Sequence, residues 1–387
     1  MIGPLQLENT TQCPQRKGIH REHIMRGPQN SNGGLTLIPL PGFEGLAEQV
    51  KTHIVAEGKK KREDAWRRGE ENPYTPVDIA VPKFDLRVNG EPYIQLGKQH
   101  IGGHDCVIIA SGPGTYKRLV KMWMTLGYVV GRHARRVALV TGYLPLARSD
   151  KDEGEEEFAL SSLMTHLTLS AAYGKLDRMI AVDLHAPQAV MAAPPGVITE
   201  VSLARRLVDK MLEDCKSVER RIVFLLPDDG AMKRYELAIE LAGRSRDLGF
   251  PLVWGDKRRH NSTTSDLQRL HGTVEALHGA LVLSLDDEIA SGGTNIGAAN
   301  AVKRQYGAAE YWSGTVHGVL CGNALQKLSD PACSIDRIYV SDTIPFDHRP
   351  EFQPLIRSGR LQVISWVEDL AHIIYYHHWD RSIRERR

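Results

Sequence analysis

Several common signatures are missing from this chain of 387 residues. It contains neither the GxxxxGK[ST] pattern of P-loop nucleotide-binding proteins nor the GxGxxG pattern of dinucleotide-binding proteins, so neither class has motif support. No window of about 18 apolar residues occurs, which predicts that the chain has no transmembrane helix. The first residues also lack the apolar core of a secretory signal. We therefore expect a protein that acts without a membrane partner.

Cysteine and net charge are also scarce. The five cysteines are scattered, odd in number and form no CxxC pair, a usage typical of a reduced cytoplasmic protein rather than a disulfide framework. The formal net charge of +2 argues against a protein that coats a polyanion, so we expect no nucleic-acid partner. A small net charge still permits a local basic site for phosphates.

Two segments stand apart from the rest of the chain. Residues 1–34 are rich in Gln, Asn, Gly and His and are predicted to form a flexible extension. Residues 57–75 interleave acidic with basic side chains, which favours a solvated helix or surface loop over a nucleic-acid patch.

The remainder alternates between strands and helices. Short β-branched apolar runs predict strands at 35–42, 105–110, 136–143 and 177–186. Apolar residues at helical spacing from Leu160 to Ala171 predict a helix before the last of these strands, and the same alternation repeats after residue 191. Such alternation indicates mainly parallel sheets covered by helices on both faces. Two runs of this length predict two α/β domains, at 35–195 and 196–387.

Clusters of polar residues follow five of the predicted strands. They are, in chain order, "YLPLARSDKD", "DLHA", "PDDGA", "DKRR" and "DDEIASGGT". Ligands of open α/β sheets bind at the carboxyl ends of the strands. Five clusters at such ends predict a ligand site better than they fit ordinary loops.

The stretch "LSLDDEIASGGT", residues 283–294, carries the most specific pattern. Asp286 and Asp287 are predicted to end a buried strand, where paired carboxylates can bind ribose hydroxyls or a hydrated Mg²⁺. The segment from Ser291 to Thr294 is predicted to open a helix, and its glycines let backbone N–H groups approach a phosphate. Sugar hydroxyls and a phosphate held one loop apart match a ribose 5-phosphate. An Asp-rich cap before a glycine turn is the alternative.

The other clusters are less specific one by one. His185 follows Asp183 and can bind Mg²⁺ or a phosphate, although a lone histidine is more often structural. Asp228 begins an acidic turn. The bases at 257–259 suit the charge on a transferring phosphoryl group, and a solvated basic loop is the alternative. Residues 148–150 are equally ambiguous.

Taken in order, the clusters resemble the ribose-phosphate diphosphokinases, also called phosphoribosyl pyrophosphate synthetases, over residues 77–346. "VDLHA" and "DKRR" match that family without change, and "ARSD" corresponds to its "ARQD". "LPDDGA" corresponds to "SPDxGG", "LDDEIASGGT" to "VDDxxDTGGT", "VHGVLCGNA" to "THxxLSGNA", and "SDTIP" to "CDTIP". "PKFDLRVNGE" matches the family's "GRFSDGE" loosely. The order and spacing are more specific than any single motif.

The resemblance implies two tandem type I phosphoribosyltransferase-like domains with the active site between them, usually in a homo-oligomer. It implies ATP binding by Phe84, Glu91, Arg148, Ser149 and Asp150. It implies Mg²⁺ binding by His185 and Asp228, and catalysis by Lys257 and Arg259 on a mobile loop. It implies sugar-phosphate binding by Asp286, Asp287, Ser291, Gly292, Gly293 and Thr294.

The chemistry implied is transfer of the diphosphate of ATP to the C1 hydroxyl of ribose 5-phosphate, with release of AMP. Positioning and electrostatics carry the rate of such a reaction. Two departures from the family stand out. Ala290 replaces an aspartate, and five of the six residues 152–157 are acidic where the family binds a regulatory phosphate on basic residues. We therefore expect phosphate activation to be absent or altered.

Alternatives remain open at this level. The loss of a carboxylate at Ala290 could admit a larger 5-phosphoryl ribose such as ADP-ribose. A catalytically silent regulatory subunit is a further alternative, against which the retained "DKRR", "DLHA" and Asp228 argue. A simple phosphoribosyltransferase needs only one such domain, and the repeated α/β pattern argues against it.

Overall fold

The computed structural model describes residues 33–67, 76–98, 100–151, 156, 158–259 and 265–383. The predicted N-terminal extension, apart from Gly33 and Gly34, lies outside the described residues. So does the second half of the charged segment, 68–75. Its first half continues a helix that begins at Glu44.

Strands and helices alternate along the described residues as the sequence predicts. The strands are β1 (Leu35–Pro39), β2 (Val77–Ile79), β3 (Pro82–Leu86), β4 (Pro92–Leu96), β5 (Asp105–Ala110), β6 (Arg136–Thr141), β7 (Leu176–Val182), β8 (Ile198–Val201), β9 (Ile222–Leu226), β10 (Leu252–Arg259), β11 (Ser265–Gly272), β12 (Leu281–Ile289), β13 (Glu310–Gly318), β14 (Arg337–Ser341) and β15 (Leu361–Ile364). The α-helices are α1 (Glu44–Arg67), α2 (Tyr116–Gly131), α3 (Leu160–Ala171), α4 (Ala204–Asp214), α5 (Asp229–Arg244), α6 (Gly293–Tyr306), α7 (Ala324–Ser329), α8 (Gln353–Arg357) and α9 (Val367–His378).

Two mainly parallel sheets organise the described residues. The first has the order β2-β1-β5-β6-β7-β8, and all of its neighbours are parallel. The second has the order β11-β10-β9-β12-β13-β14-β15, in which only β11 is antiparallel. Buried, largely apolar strands such as β5 and β9 suit the interior of sheets covered on both faces. The predicted α/β fold with two parallel-sheet domains is confirmed.

The sheet of the first domain extends past the boundary that the sequence predicts between residues 195 and 196. β8 follows that point in the chain, yet it pairs with β7 and completes the first sheet. Near the other end, α9 packs against α1 of the first domain, and Arg136 binds both Asp105 and Asp380. We propose domain limits in which the first domain extends to β8 and also receives the C-terminal helix. Periodicity alone carries no signal for either long-range contact.

Two predicted strand limits need correction. β12 does not end at Asp287 but runs to Ile289, because its backbone pairing with β13 continues through Glu288. The "DKRR" residues lie within β10, in a hairpin with β11, and not on a loop beyond a strand. Antiparallel pairing with a later segment extends that strand, and local composition could not indicate the partner.

Candidate functional site

The carboxyl ends of the two sheets meet at a pair of charged side chains. His185, just after β7, donates from Nδ1 to Oδ2 of Asp287 on β12 at 2.5 Å. The Asp287 side chain is only 10% exposed. Burial is the largest single influence and opposes ionisation, but the hydrogen bond and charge of His185, together with Arg234 and Asp286, outweigh burial and lower the pKa of Asp287. The same hydrogen bond raises the pKa of His185. This short hydrogen bond therefore joins the domains where the sequence places the ligand.

Arg234 on α5 reinforces this contact. Its Nη2 donates to the carbonyl of Leu184 at 2.6 Å, while its Nη1 lies 3.9 Å from Asp287 Oδ2. One guanidinium thus holds both the loop after β7 and the carboxylate on β12. A buried ion pair with a further cation and hydrogen bonds is a fixed arrangement, since breaking it would leave an uncompensated buried charge.

Glu288 forms a second bridge between the domains. Its Oε1 lies 3.3 Å from Nη1 of Arg148, and its side chain is 7% exposed. The hydroxyl of Tyr143 also hydrogen-bonds this carboxylate, and burial together with Glu288 raises the pKa of Tyr143. Burial and the neighbouring Asp287 raise the pKa of Glu288. Arg148 remains about half exposed, so the rest of its guanidinium stays available to a ligand.

Asp183 proves to be structural. It is buried and has a φ of +36°, and its carboxylate accepts hydrogen bonds from Ser202 Oγ and Leu203 N at 2.7 Å each. Burial raises its pKa to about 6, although those hydrogen bonds oppose the shift. This side chain fixes the strand end that presents His185 to the site.

The glycine segment after β12 forms a tight helix entry. Gly292 has a φ of +75°, which side chains rarely tolerate, and α6 begins at Gly293. No acidic residue occurs in the first turn of α6. The neighbouring loop after β13 supports this entry, because Leu320 N donates to the Ile289 carbonyl at 2.9 Å and Cys321 N to the Ala290 carbonyl at 3.0 Å. The segment is a helix N-terminus open to an anion.

Arg349 holds the loop after β13 in place. Its guanidinium donates to the carbonyls of Gly318, Val319 and Leu320 at 2.8, 2.9 and 2.9 Å. It also lies over the Phe346 ring, with Cζ 4.9 Å from the centroid, a cation–π geometry. Three carbonyl contacts from one arginine make the loop behind the glycine segment rigid.

The remaining predicted residues lie on other loops and elements of the two domains. Asp228 caps α5, with Oδ1 accepting from Ala231 N at 2.9 Å. Asp150 lies close enough to His185 to raise its pKa. Ser149 Oγ accepts from Leu160 N at 2.9 Å and so ties its loop to α3. The backbones of Lys257 and Arg259 lie on β10.

Phe84 and Glu91 lie on the separate β3–β4 hairpin. The ring of Phe84 packs under Lys121, whose Nζ is 4.9 Å from its centroid, and Glu91 is exposed beside the hairpin turn. Among the described residues, Phe84 contacts Lys121 and packs against the hydrophobic core that includes β1 and β5, and it does not contact the His185–Asp287 pair. The structure thus does not bring this predicted part of an ATP site together with the rest.

His317 links the strand ends and was not singled out as a site residue by sequence, although "VHGVLCGNA" contains it. It is 2% exposed, donates from Nε2 to the Val182 carbonyl at 3.0 Å, and accepts at Nδ1 from Thr343 Oγ1 at 3.0 Å. Burial lowers the pKa of His317 to about 4. In the neutral imidazole, both ring nitrogens therefore have a hydrogen-bond partner.

The neutral state of His317 predicts an acid-sensitive domain contact. An unfolded histidine titrates near 6.5, so this group stabilises the folded state above that pH, and the contribution is lost as the pH falls toward 4. Between pH 7.5 and pH 5 we expect the free energy of unfolding to fall by about 2 kcal/mol more in the wild type than in His317→Gln. Urea unfolding of both proteins checks this. The exposed His278→Gln should keep the wild-type slope, and equal slopes for His317→Gln would contradict the assignment.

Sequence reasoning missed Tyr143, Arg234, Glu288 and Arg349. Glu288 sits within a matched motif, at a position where the pattern specifies no residue type, and Tyr143 begins the polar cluster after β6 but lies outside the matched "ARSD". Arg234 and Arg349 belong to no cluster, and only tertiary contacts reveal them. Within the residues described, no helix is long and apolar enough to cross a membrane.

Comparison with known proteins gives a consistent result. No protein-family model matches the chain. A ribose-phosphate pyrophosphokinase of Rhodopirellula baltica is 29% identical over 321 residues, covering 80% of this chain and 90% of that protein. One from Thermosipho africanus is 27% identical over 296 residues, covering 76% and 87%.

Solved structures support the fold. The crystal structure of phosphoribosylpyrophosphate synthetase from Mycobacterium smegmatis superposes with a TM-score of 0.67 at 22% identity, covering 90% of this chain and 99% of that one. Its coverage spans both sheets, so the two-domain arrangement is shared. With sequence relatives across most of the chain and the family's motifs in their expected order, the protein is similar to the ribose-phosphate pyrophosphokinases over most of its length.

Proposed function

We propose that the protein transfers the diphosphate of ATP to the C1 hydroxyl of ribose 5-phosphate, producing phosphoribosyl diphosphate and AMP. The observation that carries this proposal is the His185–Asp287 contact at 2.5 Å. It places the loops after the strands of the first sheet beside the acidic strand and glycine turn of the second. Two substrates bound on these two sides would have their reacting groups next to each other.

The second domain would hold the acceptor. Asp286 and Asp287 are adjacent carboxylates at the end of β12 that suit ribose hydroxyls, and the Asp286 backbone is fixed by a 2.7 Å hydrogen bond from Tyr235. Ser291, Gly292, Gly293 and Thr294 would receive the 5-phosphate on the N-terminus of α6. The loop is preformed, because Gly292 already occupies the left-handed conformation that the turn requires.

The first domain would hold the nucleotide. Arg148 is held on one edge by Glu288 and can present its other N–H groups to a phosphate. Ser149 and Asp150 continue the same loop. Lys257 and Arg259 would stabilise charge on the transferring phosphoryl groups.

The residues present fit a magnesium ion bound chiefly through substrate phosphates. Mg²⁺ usually takes only one or two protein ligands and keeps water and phosphate oxygens. Among the described residues no group of three or more His, Cys, Asp and Glu side chains is arranged as a metal cage, which agrees with that mode of binding. Asp228 and His185 would hold the ion, His185 through the unprotonated Nε2 of its neutral ring, and the Nδ1–H contact with Asp287 fixes that ring as second-layer carboxylates do. The ion would neutralise charge on the diphosphate.

In the proposed step, the C1 hydroxyl oxygen attacks the β-phosphorus of ATP. The bond from that phosphorus to the oxygen bridging the α-phosphate breaks, AMP leaves with the bridging oxygen, and the hydroxyl proton passes to solvent. The chain's own side chains orient the two substrates and balance charge. No covalent enzyme intermediate is needed.

The acceptor can be tested by steady-state kinetics. Pure protein with Mg²⁺ and ATP should release AMP faster with ribose 5-phosphate than with ADP-ribose, with AMP measured by chromatography. Faster turnover of ADP-ribose would indicate that the missing carboxylate at Ala290 adapts the site to a larger acceptor. If neither ribose 5-phosphate nor ADP-ribose supports AMP release, the proposed enzymatic function is rejected.

Regulation by inorganic phosphate should be weak or absent. Residues 152–157, which carry five acidic side chains, follow the proposed nucleotide loop, and like charge disfavours phosphate there. We expect the initial rate to change less than about twofold when phosphate is added at constant ionic strength. Replacing the acidic residues by the corresponding amides in one variant is the control. A strong activation of the unmodified protein would contradict this prediction.

We also propose a cytoplasmic homo-oligomer. Leu163 and Leu167 project from α3 with 44% and 41% of their surface exposed, and Phe158 before the helix is 66% exposed. Such neighbouring apolar side chains are typical of surfaces covered by another subunit. Cys106, Cys215, Cys321 and Cys333 are free thiols, which supports a reducing compartment.

A further inference from the structure

Lys327 places a positive charge beside the glycine turn of the second domain. A Cβ built on Gly293 would lie 3.6 Å from Lys327 Nζ and 3.7 Å from Ser291 Oγ. The ammonium and the hydroxyl therefore border the same small volume over the start of α6. Lys327 lies on α7, outside every motif that the sequence singled out.

The position of Lys327 is set by the packing of α7. Leu328, the next residue, is 1% exposed, and its Cδ2 lies 3.5 Å from the Cβ position of Gly292. The segment before α7 is tied to the turn by the 3.0 Å hydrogen bond from Cys321 N to the Ala290 carbonyl. The lysine backbone is therefore fixed relative to the turn, and only the side chain adjusts.

Electrostatics around this ammonium favour an anion. The N-terminus of α6 carries the positive end of the helix dipole, and its first turn has no acidic residue to offset it. Lys327 forms no ion pair with any residue in the described ranges. A cation beside the positive end of a helix is unfavourable by itself, and an anion between the two relieves that repulsion.

We propose that Lys327 binds the phosphate of the acceptor, a phosphomonoester dianion on the sugar, together with the turn from Ser291 to Thr294. This inference rests on the proposed function, because it assigns a residue to the acceptor side of that site. Residues 290–294 carry no charged side chain, so Lys327 supplies the charge that the turn lacks. It distinguishes a phosphorylated acceptor from a neutral sugar.

The test compares Lys327→Met with Arg304→Met, which removes the same charge from the exposed far end of α6. Calorimetric binding and steady-state kinetics are measured for ribose 5-phosphate and for ATP. In Lys327→Met, the Kd and KM for ribose 5-phosphate should rise about tenfold or more, as expected for loss of a charge-assisted contact. The KM for ATP and kcat at saturating acceptor should change less than about twofold. Arg304→Met should resemble the wild type.

Two readouts separate a charge contact from a structural role. The affinity for ribose 5-phosphate should depend less on salt in Lys327→Met than in the wild type. Lys327→Arg should restore most of the affinity. A uniform loss of ATP and acceptor binding, or an unchanged Kd for ribose 5-phosphate, overturns the inference while leaving the proposed function standing.

The proposed function can also fail independently. If the wild type binds ribose 5-phosphate but releases no AMP, and Lys327→Met weakens that binding, the diphosphokinase reaction is rejected and the phosphate contact is retained. If the wild type does not bind ribose 5-phosphate, both are overturned.

Discussion

Replacement of Lys257 with alanine is expected to lower kcat by about 10²–10³-fold, the usual cost of removing one preorganised contact to transition-state charge. Phosphoryl transfer spreads negative charge over the transferring group, and the enzyme contributes chiefly by stabilising it. The KM values should change little, because the contact strengthens as charge develops. Initial rates of AMP release at saturating substrates measure the effect.

Arg258→Ala is the matched control for this variant. Arg258 lies on the same strand β10, between the two positively charged residues that are proposed to act in catalysis, and the proposed mechanism gives it no role. It should keep kcat within about threefold of the wild type, whereas Arg259→Ala should resemble Lys257→Ala. Equal activities for Lys257→Ala and the wild type would remove Lys257 from the mechanism.

Replacement of Asp287 with asparagine should lower kcat/KM on the order of 100-fold, comparable to loss of a carboxylate that orients a metal-binding histidine. The substitution preserves shape but removes the charge that faces His185 at 2.5 Å and Arg234 at 3.9 Å. It also leaves two buried cationic partners without their carboxylate, so we expect a stability loss of about 3 kcal/mol. Kinetics and urea unfolding measure the two effects.

An exposed ion pair provides the comparison for Asp287. Glu240, which pairs with Arg244 on α5, is 49% exposed. Glu240→Gln should change both activity and stability only slightly, since solvent screens such a pair. If Asp287→Asn behaved like Glu240→Gln, the contact between the sheets would not be the centre of the site.

Local patterns predicted much of the fold. The β-branched run at 105–110 coincides with β5, and the helix ending before Gly307 coincides with α6, because burial on both faces and a left-handed glycine cap leave direct marks in sequence. The polar clusters after β7 and β12 could be placed for a similar reason. Parallel strands in covered sheets end at one edge, so residues far apart in sequence converge there.

Contacts between distant segments could not be read from the sequence. Glu288 follows the paired aspartates at a position where the motif specifies nothing, yet it bridges to Arg148 of the other domain. The hairpin that carries Lys257 depends on pairing with β11, which follows it in the chain. The attachment of α9 to the first domain depends on buried partners such as Asp105 and His378, which lie 273 residues apart. Each feature requires the relative placement of whole elements, and periodicity contains no information about it.

The measurement that tests the central claim most directly is ³¹P NMR of the protein mixed with ATP, Mg²⁺ and ribose 5-phosphate. Transfer of a diphosphate predicts that the ATP resonances are replaced by those of AMP and of a sugar that carries a diphosphate at C1. AMP and the sugar diphosphate should form in equal amounts, without ADP. The appearance of ADP with a singly phosphorylated C1, or of AMP with free diphosphate and unchanged ribose 5-phosphate, would contradict the account.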